Sequence, residues 1–280
     1  MGGKSLALQV LAFPDDAAGA LVRAEPLLRR QPVRHTLLLT LLTVRAAQPQ
    51  PGRYWVALRG GRAVGVAFHS PLEYRAVISP MMRPAVHAVA EAMWDSGAAL
   101  PGVSGEPHTA VQFAAKWAQL AKASPAPTRA LQLYEARRVR EARKPSGRYR
   151  AARRSDRATL IEWVTALRAE TREPEIDAAA YVDRALAAGQ LSVWDDHGAA
   201  TMAATSAPVA GVVRVIGVYT PTARRARGYA GACVAQLTRD VLAAQQRCVL
   251  YADLADPVAT GVYRRIGYVA VSELLTLMFS

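Results

Sequence analysis

Cysteine is nearly absent from this chain: Cys233 and Cys248 are the only two in 280 residues. Such a pair supports neither a disulfide framework nor a cysteine-based metal cluster. Cys233 falls on the apolar side of a helical pattern and reads as a small buried thiol. Histidine is also scarce, with 5 residues, and His69, His87 and His108 lack metal-ligand spacing. No apolar run approaches the ~18 residues that span a bilayer. The opening Met1-Gly2-Gly3-Lys4-Ser5-Leu6 has no long apolar stretch before a cleavage site. Leu6 also stands where a myristoylation signal needs Ser or Thr. The expectation is a soluble cytoplasmic protein with no metal and no membrane partner.

Acidic residues are the next deficit. Asp and Glu total 22 against 35 Lys and Arg, a formal net charge of +13. Such a surface attracts anionic ligands. A basic cluster at 137–157 includes Tyr149, but no helix-turn-helix, zinc-finger or RNA-binding aromatic pattern accompanies it. Nucleic acid is therefore not expected as a partner, and a polyanion binder stays only a third reading. The apolar share of 51% with 20% charged residues is that of a globular chain. The length predicts two domains. Trp55, Trp94, Trp117, Trp163 and Trp194 each sit in apolar periodic segments and read as core. His197 reads as a surface turn residue.

The segment 135–154 changes character. It is rich in Arg, Lys and Glu and holds Lys144-Pro145-Ser146-Gly147, the composition of a connection between halves. Beyond it, 149–152 predicts a short strand. Ser155 or Asp156 then caps a helix through Leu160, Trp163, Val164 and Leu167. A second helix covers 176–188, with Gly189 after its end. A hairpin joins 191–194 to 199–206 through Asp195-Asp196-His197-Gly198. Val212–Tyr219 predicts a third strand, where Gly217 suggests a bulge or a close backbone approach. The next helix places Cys233, Leu237 and Val241 on one face. A buried-type strand at 248–252 follows. Asp256-Pro257 then caps a helix that ends at Gly267-Tyr268, before a last strand at 273–278.

The first half repeats this plan. Helices at 17–28 and 34–43 precede a hairpin of 54–58 and 63–68. Ala76–Ile78 then leads into Ser79-Pro80, as Val212–Tyr219 leads into Thr220-Pro221. Helical stretches at 81–94 and 106–121 follow, then a strand at 130–135. The shared order predicts a tandem duplication. The copies part where chemistry would sit. After Thr220-Pro221 comes Arg225-Ala226-Arg227-Gly228-Tyr229-Ala230, a small-residue turn at a helix N-terminus. Free N–H groups and the helix dipole make that a pyrophosphate cradle. Gly228 allows a close approach, and Arg225 and Arg227 add donors for phosphate oxygens. After Ser79-Pro80 comes Met81-Met82-Arg83-Pro84-Ala85-Val86, with no glycine, and that copy has lost the cradle.

These residues resemble the GCN5-related N-acetyltransferase (GNAT) family. The family's signature is Gln or Arg, two residues, Gly, one residue, then Gly or Ala, which Arg225 to Ala230 satisfies. The strand before it and the amphipathic helix after it supply the context. A later segment, from Leu250-Tyr251-Ala252-Asp253 through Asp256-Pro257 and Tyr263 to Gly267-Tyr268, is similar to the family's second motif. There Asn-Pro starts a helix that carries a Tyr; Asp256 departs from that Asn but still caps a helix.

The resemblance implies an α/β (α+β) protein of two tandem GNAT-like domains, each a mixed central sheet flanked by helices. A degenerate domain would span 1–140, a linker 141–148 and a catalytic domain 149–280. It implies acetyl-CoA as acyl donor. The backbone of Val218, Tyr219 and Thr220 would pair with the pantetheine arm. Amides of Arg225, Ala226, Arg227, Gly228, Tyr229 and Ala230 would hold the pyrophosphate, close to Asp256. A backbone N–H near Val218 or Tyr219 would stabilise the oxyanion, and Tyr263 would protonate the leaving thiolate. The general base stays open among Asp253, Glu170, Glu173, Glu175 and a water chain. The implied activity is N-acetyl transfer to a primary amine of a small molecule or peptide, by a monomer. The alternative is a non-catalytic acyl-CoA-binding regulatory module.

Overall fold

The computed structural model describes residues 7–140, 145–171 and 173–280. The readings placed on Met1 to Leu6, on Lys144 and on the middle of the basic cluster lie outside the described residues. The first run of elements is β1 (Leu8–Pro14), α1 (Ala17–Leu28), α2 (Thr36–Ala47), β2 (Arg53–Arg59), β3 (Arg62–His69), β4 (Ala76–Ile78), α3 (Arg83–Asp95), β5 (Gly102–Gly105), α4 (Pro107–Ala121) and β6 (Pro125–Ala136). The second run is β7 (Arg148–Ala151), α5 (Arg157–Thr171), α6 (Ala178–Ala187), β8 (Leu191–Asp195), β9 (Ala199–Thr205), β10 (Val212–Tyr219), α7 (Tyr229–Ala243), β11 (Arg247–Asp253), α8 (Pro257–Ile266) and β12 (Tyr268–Phe279). Both runs have one order: a strand, two helices, three strands, helix, strand, helix, strand. The fold is thus α/β, with one plan used twice in tandem.

The chain divides into two compact units. The first takes the residues up to Leu133 with Asp253–Ala255 and Val271–Ser280; the second takes Tyr134–Ala252 and Asp256–Ala270. In the first, β1 to β4 form an antiparallel meander and β4 pairs parallel with β5. The end of β12 then closes on β5 as an antiparallel strand, Leu275 opposite Gly105 and Met278 opposite Gly102. One face of this sheet is covered by α3 and α4, which bury Met93, Phe113 and Trp117 against Trp55 and Val103.

The second unit repeats the meander in β7 to β10 and the parallel pair in β10 and β11. On one face α7 and α8 bury Cys233, Leu237 and Ile266 against Val215, Leu250 and Tyr268. On the other, α5 and α6 bury Leu160, Trp163 and Val182 against Val193, Met202 and Tyr219. Burial pushes the Cys233 thiol up to about 12, so it stays a neutral packing group. A polar anchor ties the meander to α5: Arg150 donates to both Asp156 oxygens (2.7 and 2.9 Å) and to Asp195 (2.6 Å). Two arginines of the basic cluster are therefore consumed internally, since Arg157 also pairs with Asp183 at 2.6 Å.

Several sequence expectations shift. The strands β1 and β5 were not legible; β5 reads Gly-Val-Ser-Gly, with too few branched residues to signal a strand. Trp94 is 42% exposed rather than core, and meets only the edge of Trp117 at 5.8 Å. The helix expected from 176 starts at Ala178, because the Asp177 carboxylate caps the Ala180 amide at 2.9 Å and leaves Ile176 outside. The last strand begins at Tyr268, well before 273.

Candidate functional site

The site is built where β10 and β11 part. Their parallel register runs from Val212↔Arg247 to Val215↔Leu250 and stops there, although β10 continues to Tyr219 and β11 to Asp253. Opposite, on β9, the register slips between Ile216 and Tyr219. Gly217 causes the slip with φ of +59°, a left-handed conformation open to glycine at little cost. The bulge takes Gly217 and Val218 out of the β9 ladder, and the end of the β11 register at Val215 leaves Val218 and Tyr219 without a β11 partner. Tyr219 is pinned from behind: Thr201 donates to its carbonyl at 2.7 Å and meets the Thr220 hydroxyl at 2.7 Å.

The turn that follows supplies the donors. Amides of Arg224 and Arg225 donate back to Pro221 and Thr222 (2.8 and 3.2 Å). The next amide with a backbone acceptor is that of Ala232, bonded to the Gly228 carbonyl at 3.0 Å. Between them, Ala226, Arg227, Gly228, Tyr229, Ala230 and Gly231 have no backbone acceptor among the described residues. Ala226 (φ +62°) and Gly228 (φ +86°) both lie in the left-handed region, a geometry that curls successive N–H groups toward one side, as in known anion-binding nests. A Cβ on Gly228 would meet nothing within 4 Å, so its glycine serves the backbone angle rather than space. The loop is held by the β8–β9 turn: Tyr229 donates to Asp196 at 2.5 Å and Arg224 donates to the Asp196 carbonyl at 3.0 Å.

The side chains named from sequence fall in several places. Arg225 donates to both Glu170 oxygens at 2.8 Å and to the Thr220 carbonyl at 2.9 Å, and it lies 5.7 Å over the Tyr219 ring. Glu170 also accepts the Tyr219 hydroxyl at 3.3 Å. Arg227 is exposed and reaches only the Ala223 carbonyl, at 3.5 Å. Asp256 caps α8 by accepting the Ala259 amide at 2.9 Å, with Pro257 in the first turn. Tyr263 packs edge-on to Tyr268 at 6.0 Å, and among the described residues its hydroxyl has no hydrogen-bond partner. Burial first, and the Asp256 charge second, push that phenol up to about 12. Asp253 is placed in the other compact unit, where it accepts from Arg129 (2.9 Å) and from the Ala255 amide (3.0 Å). Glu173 pairs with Arg168 at 3.2 Å, and Glu175 is exposed.

The first copy shows what the cradle is made from. Its α3 follows β4 directly, and the amides of Ala85 and Val86 already donate to the Met82 carbonyl at 2.9 and 3.1 Å. Pro84 removes a further donor. No left-handed residue precedes that helix, so no ring of spare amides forms. Sequence reasoning missed Asp196 and Thr201, whose support comes from strands distant in the chain. It also missed Tyr181, whose hydroxyl lies beside Gly217, and the buried Arg214 Nε.

Comparison with known proteins agrees with this geometry. Residues 200–275, which hold the parted strands and the cradle, match the family model "FR47-like protein". Among curated proteins nothing matches. A GNAT-family acetyltransferase structure from Colwellia psychrerythraea is similar over 97% of this chain and 100% of its own, with 10% identity and a TM-score of 0.63. A GCN5-related N-acetyltransferase from Sphaerobacter thermophilus is similar over 96% of this chain and 94% of its own, with 15% identity and a TM-score of 0.64. A tandem GNAT protein from the clavulanic acid biosynthesis pathway is similar over 97% and 98%, with 12% identity and a TM-score of 0.56. The fold is that of the GCN5-related N-acetyltransferases. The resemblance first seen in Arg225 to Ala230 holds both in the family model that matches there and in the architecture.

Proposed function

We propose that the second unit binds an acyl-CoA, with acetyl-CoA as the natural donor, and transfers its acyl group to a primary amine. The observation that carries this reading is the conjunction of parted strands, a run of amides from Ala226 to Gly231 without backbone acceptors, and a half-buried Tyr263 whose hydroxyl has no hydrogen-bond partner among the described residues. A pyrophosphate meets the amides and the dipole of α7. The amide arm of the cofactor pairs with the free edge of Val218 and Tyr219 as an added strand.

In the reaction, the neutral amine nitrogen attacks the thioester carbonyl carbon. The carbonyl π pair moves to oxygen, where a backbone N–H of Val218 or Tyr219 stabilises it. The C–S bond then breaks, the sulfur leaves with its electron pair, and the amine loses a proton to water. Tyr263 donates a hydrogen bond to that sulfur. Its pKa near 12 bears on its role. Full transfer of its proton to a thiolate of ordinary pKa near 8.5 costs about 5 kcal/mol. Tyr263 therefore stabilises the departing thiolate chiefly as a donor, and completes protonation as solvent resupplies it. Glu170 and Asp253 are each held by an arginine, which favours water over a carboxylate as the immediate proton acceptor.

The test is release of free CoA from acetyl-CoA on addition of an amine library, with donor affinity measured by calorimetry. Donor binding and amine-dependent release support the proposal. Binding with no release from any amine supports instead the regulatory-module reading, which the ion-paired state of Asp253 and Glu170 favours. Absence of donor binding contradicts both.

A further inference from the structure

The face of β10 that carries α5 and α6 has a cation with no counter-charge. Arg214 precedes Ile216 by two residues, so strand alternation puts their side chains on one face, roughly 6.6 Å apart along the strand. Ile216 packs into the α5–α6 cluster, which fixes that face. Arg214 Nε is fully buried and has no hydrogen-bond partner. Among the described residues no carboxylate pairs with it, whereas Arg150, Arg157, Arg168 and Arg225 each hold one. Burial pushes its guanidinium down, and the only group acting the other way is the Tyr251 phenol on β11.

The group that acts on Arg214 is a phenol, not a carboxylate. Leu250 faces the α7–α8 cluster, so alternation turns Tyr251 to the side of Arg214. At the bulge, a Cβ on Gly217 would lie 3.8 Å from the Tyr181 hydroxyl of α6. Tyr181 in turn feels the positive charges of Arg168 and Arg184. Of the carboxylates on or between α5 and α6, Glu170 is engaged by Arg225, Glu173 by Arg168 and Asp183 by Arg157. An ammonium-rich acceptor would meet net repulsion here. A guanidinium whose Nε is buried and unpaired costs free energy that a bound oxyanion returns through charge-assisted hydrogen bonds.

We propose that the acceptor carries an oxyanion, a carboxylate or a phosphate, which Arg214 binds beside Tyr251 while the acceptor's amine faces the parted strands. This specificity rests on the acyl-transfer reading above. The separation along β10 favours a short spacer between amine and anion.

The experiment measures CoA release by the full chain with acetyl-CoA and matched acceptors. Propylamine is compared with 4-aminobutyrate and with 3-aminopropylphosphonate. The wild type is expected to favour the oxyanion-bearing amines by about tenfold or more in kcat/KM, the worth of a charge-assisted hydrogen bond. The two anionic arms rank carboxylate against phosphate. Arg214→Gln is expected to erase the preference through KM, leaving propylamine within about twofold. Arg214→Lys, which keeps the charge, is expected to restore part of it. Equal use of neutral and anionic amines by the wild type, or a preference retained in Arg214→Gln, overturns the proposal while acyl transfer stands. Should Arg214→Gln fail to fold, the wild-type preference alone decides. Donor binding without release from any amine removes the acyl-transfer reading, and this specificity with it.

Discussion

The guanidinium of Arg225 grips both carboxylate oxygens of Glu170 at 2.8 Å, across 55 residues of sequence. The pair joins the end of α5 to the turn before α7, and Tyr219 completes it from β10. Nearly half of each side chain is accessible, 45% for Arg225 and 47% for Glu170. The pair is therefore weak, worth at most about 1 kcal/mol. It holds a positive group ready without fixing it. On the proposed function, a diphosphate arriving at this turn competes with Glu170 for that group.

Replacing Glu170 by Gln is accordingly expected to tighten acyl-CoA binding by about fivefold or less. Calorimetry reads the affinity, and the same variant in the CoA-release assay reads kcat. An unchanged kcat means that Glu170 tunes the cradle. A kcat loss of a hundredfold or more would assign it the base role instead.

Replacing Gly228 by Ala imposes a Cβ on a residue at φ +86°. The strain costs about 1–2 kcal/mol, although the space itself is open. Acyl-CoA affinity is expected to fall at least tenfold as the amides re-aim, with a modest drop in Tm. Calorimetry and thermal melting check both. Unchanged affinity would mean that the turn does not hold the diphosphate.

Replacing Tyr263 by Phe removes one hydroxyl from a helix whose packing is otherwise intact. The expected outcome is a kcat lower by about ten- to a hundredfold with donor affinity unchanged. The pH profile of wild-type kcat carries a second sign. A phenol pushed up to about 12 stays protonated throughout pH 7–10. No alkaline fall in kcat from Tyr263 is therefore expected in that range. A limb near pH 9 that disappears in the Phe variant would contradict this account.

The Arg150 network sets acid stability. Arg150 holds the Asp156 and Asp195 carboxyls below the usual carboxylate range. Groups with a depressed folded pKa stabilise the fold above their unfolded pKa near 4, and that contribution fades as pH falls through the folded value. Arg150→Met is expected to destabilise by about 3 kcal/mol at neutral pH, as loss of one partner from a largely buried pair does. Its stability is expected to differ least from the wild type at pH values below the depressed folded pKa of both carboxyls. Chemical denaturation at several pH values reads both effects.

Much of this was legible in the chain, for physical reasons. Val212–Tyr219 announces itself as an apolar run, Asp256-Pro257 as a cap and Gly267 as a stop, because each is a local preference. The turn of unpaired amides was legible because it lies in one short segment, Ala226 to Ala230. What stayed hidden depends on distant partners. The strand β5 is glycine at both ends and exists through pairing with β4 and with β12. The transfer of Val271–Ser280 to the first compact unit leaves no local trace, since a strand's sequence does not name its neighbour. Tyr181 meets Gly217, and Arg214 stands unpaired, only through tertiary packing.

The central claim is that the amides of Ala226 to Ala230 hold the diphosphate of an acyl-CoA while Val218 and Tyr219 hold its arm. A crystal structure with a non-hydrolysable acetyl-CoA analogue tests it most directly. The account expects diphosphate oxygens within hydrogen-bond distance of those amides and the sulfur surrogate beside the Tyr263 hydroxyl. A nucleotide bound elsewhere, with that turn still empty at saturating analogue, would contradict it.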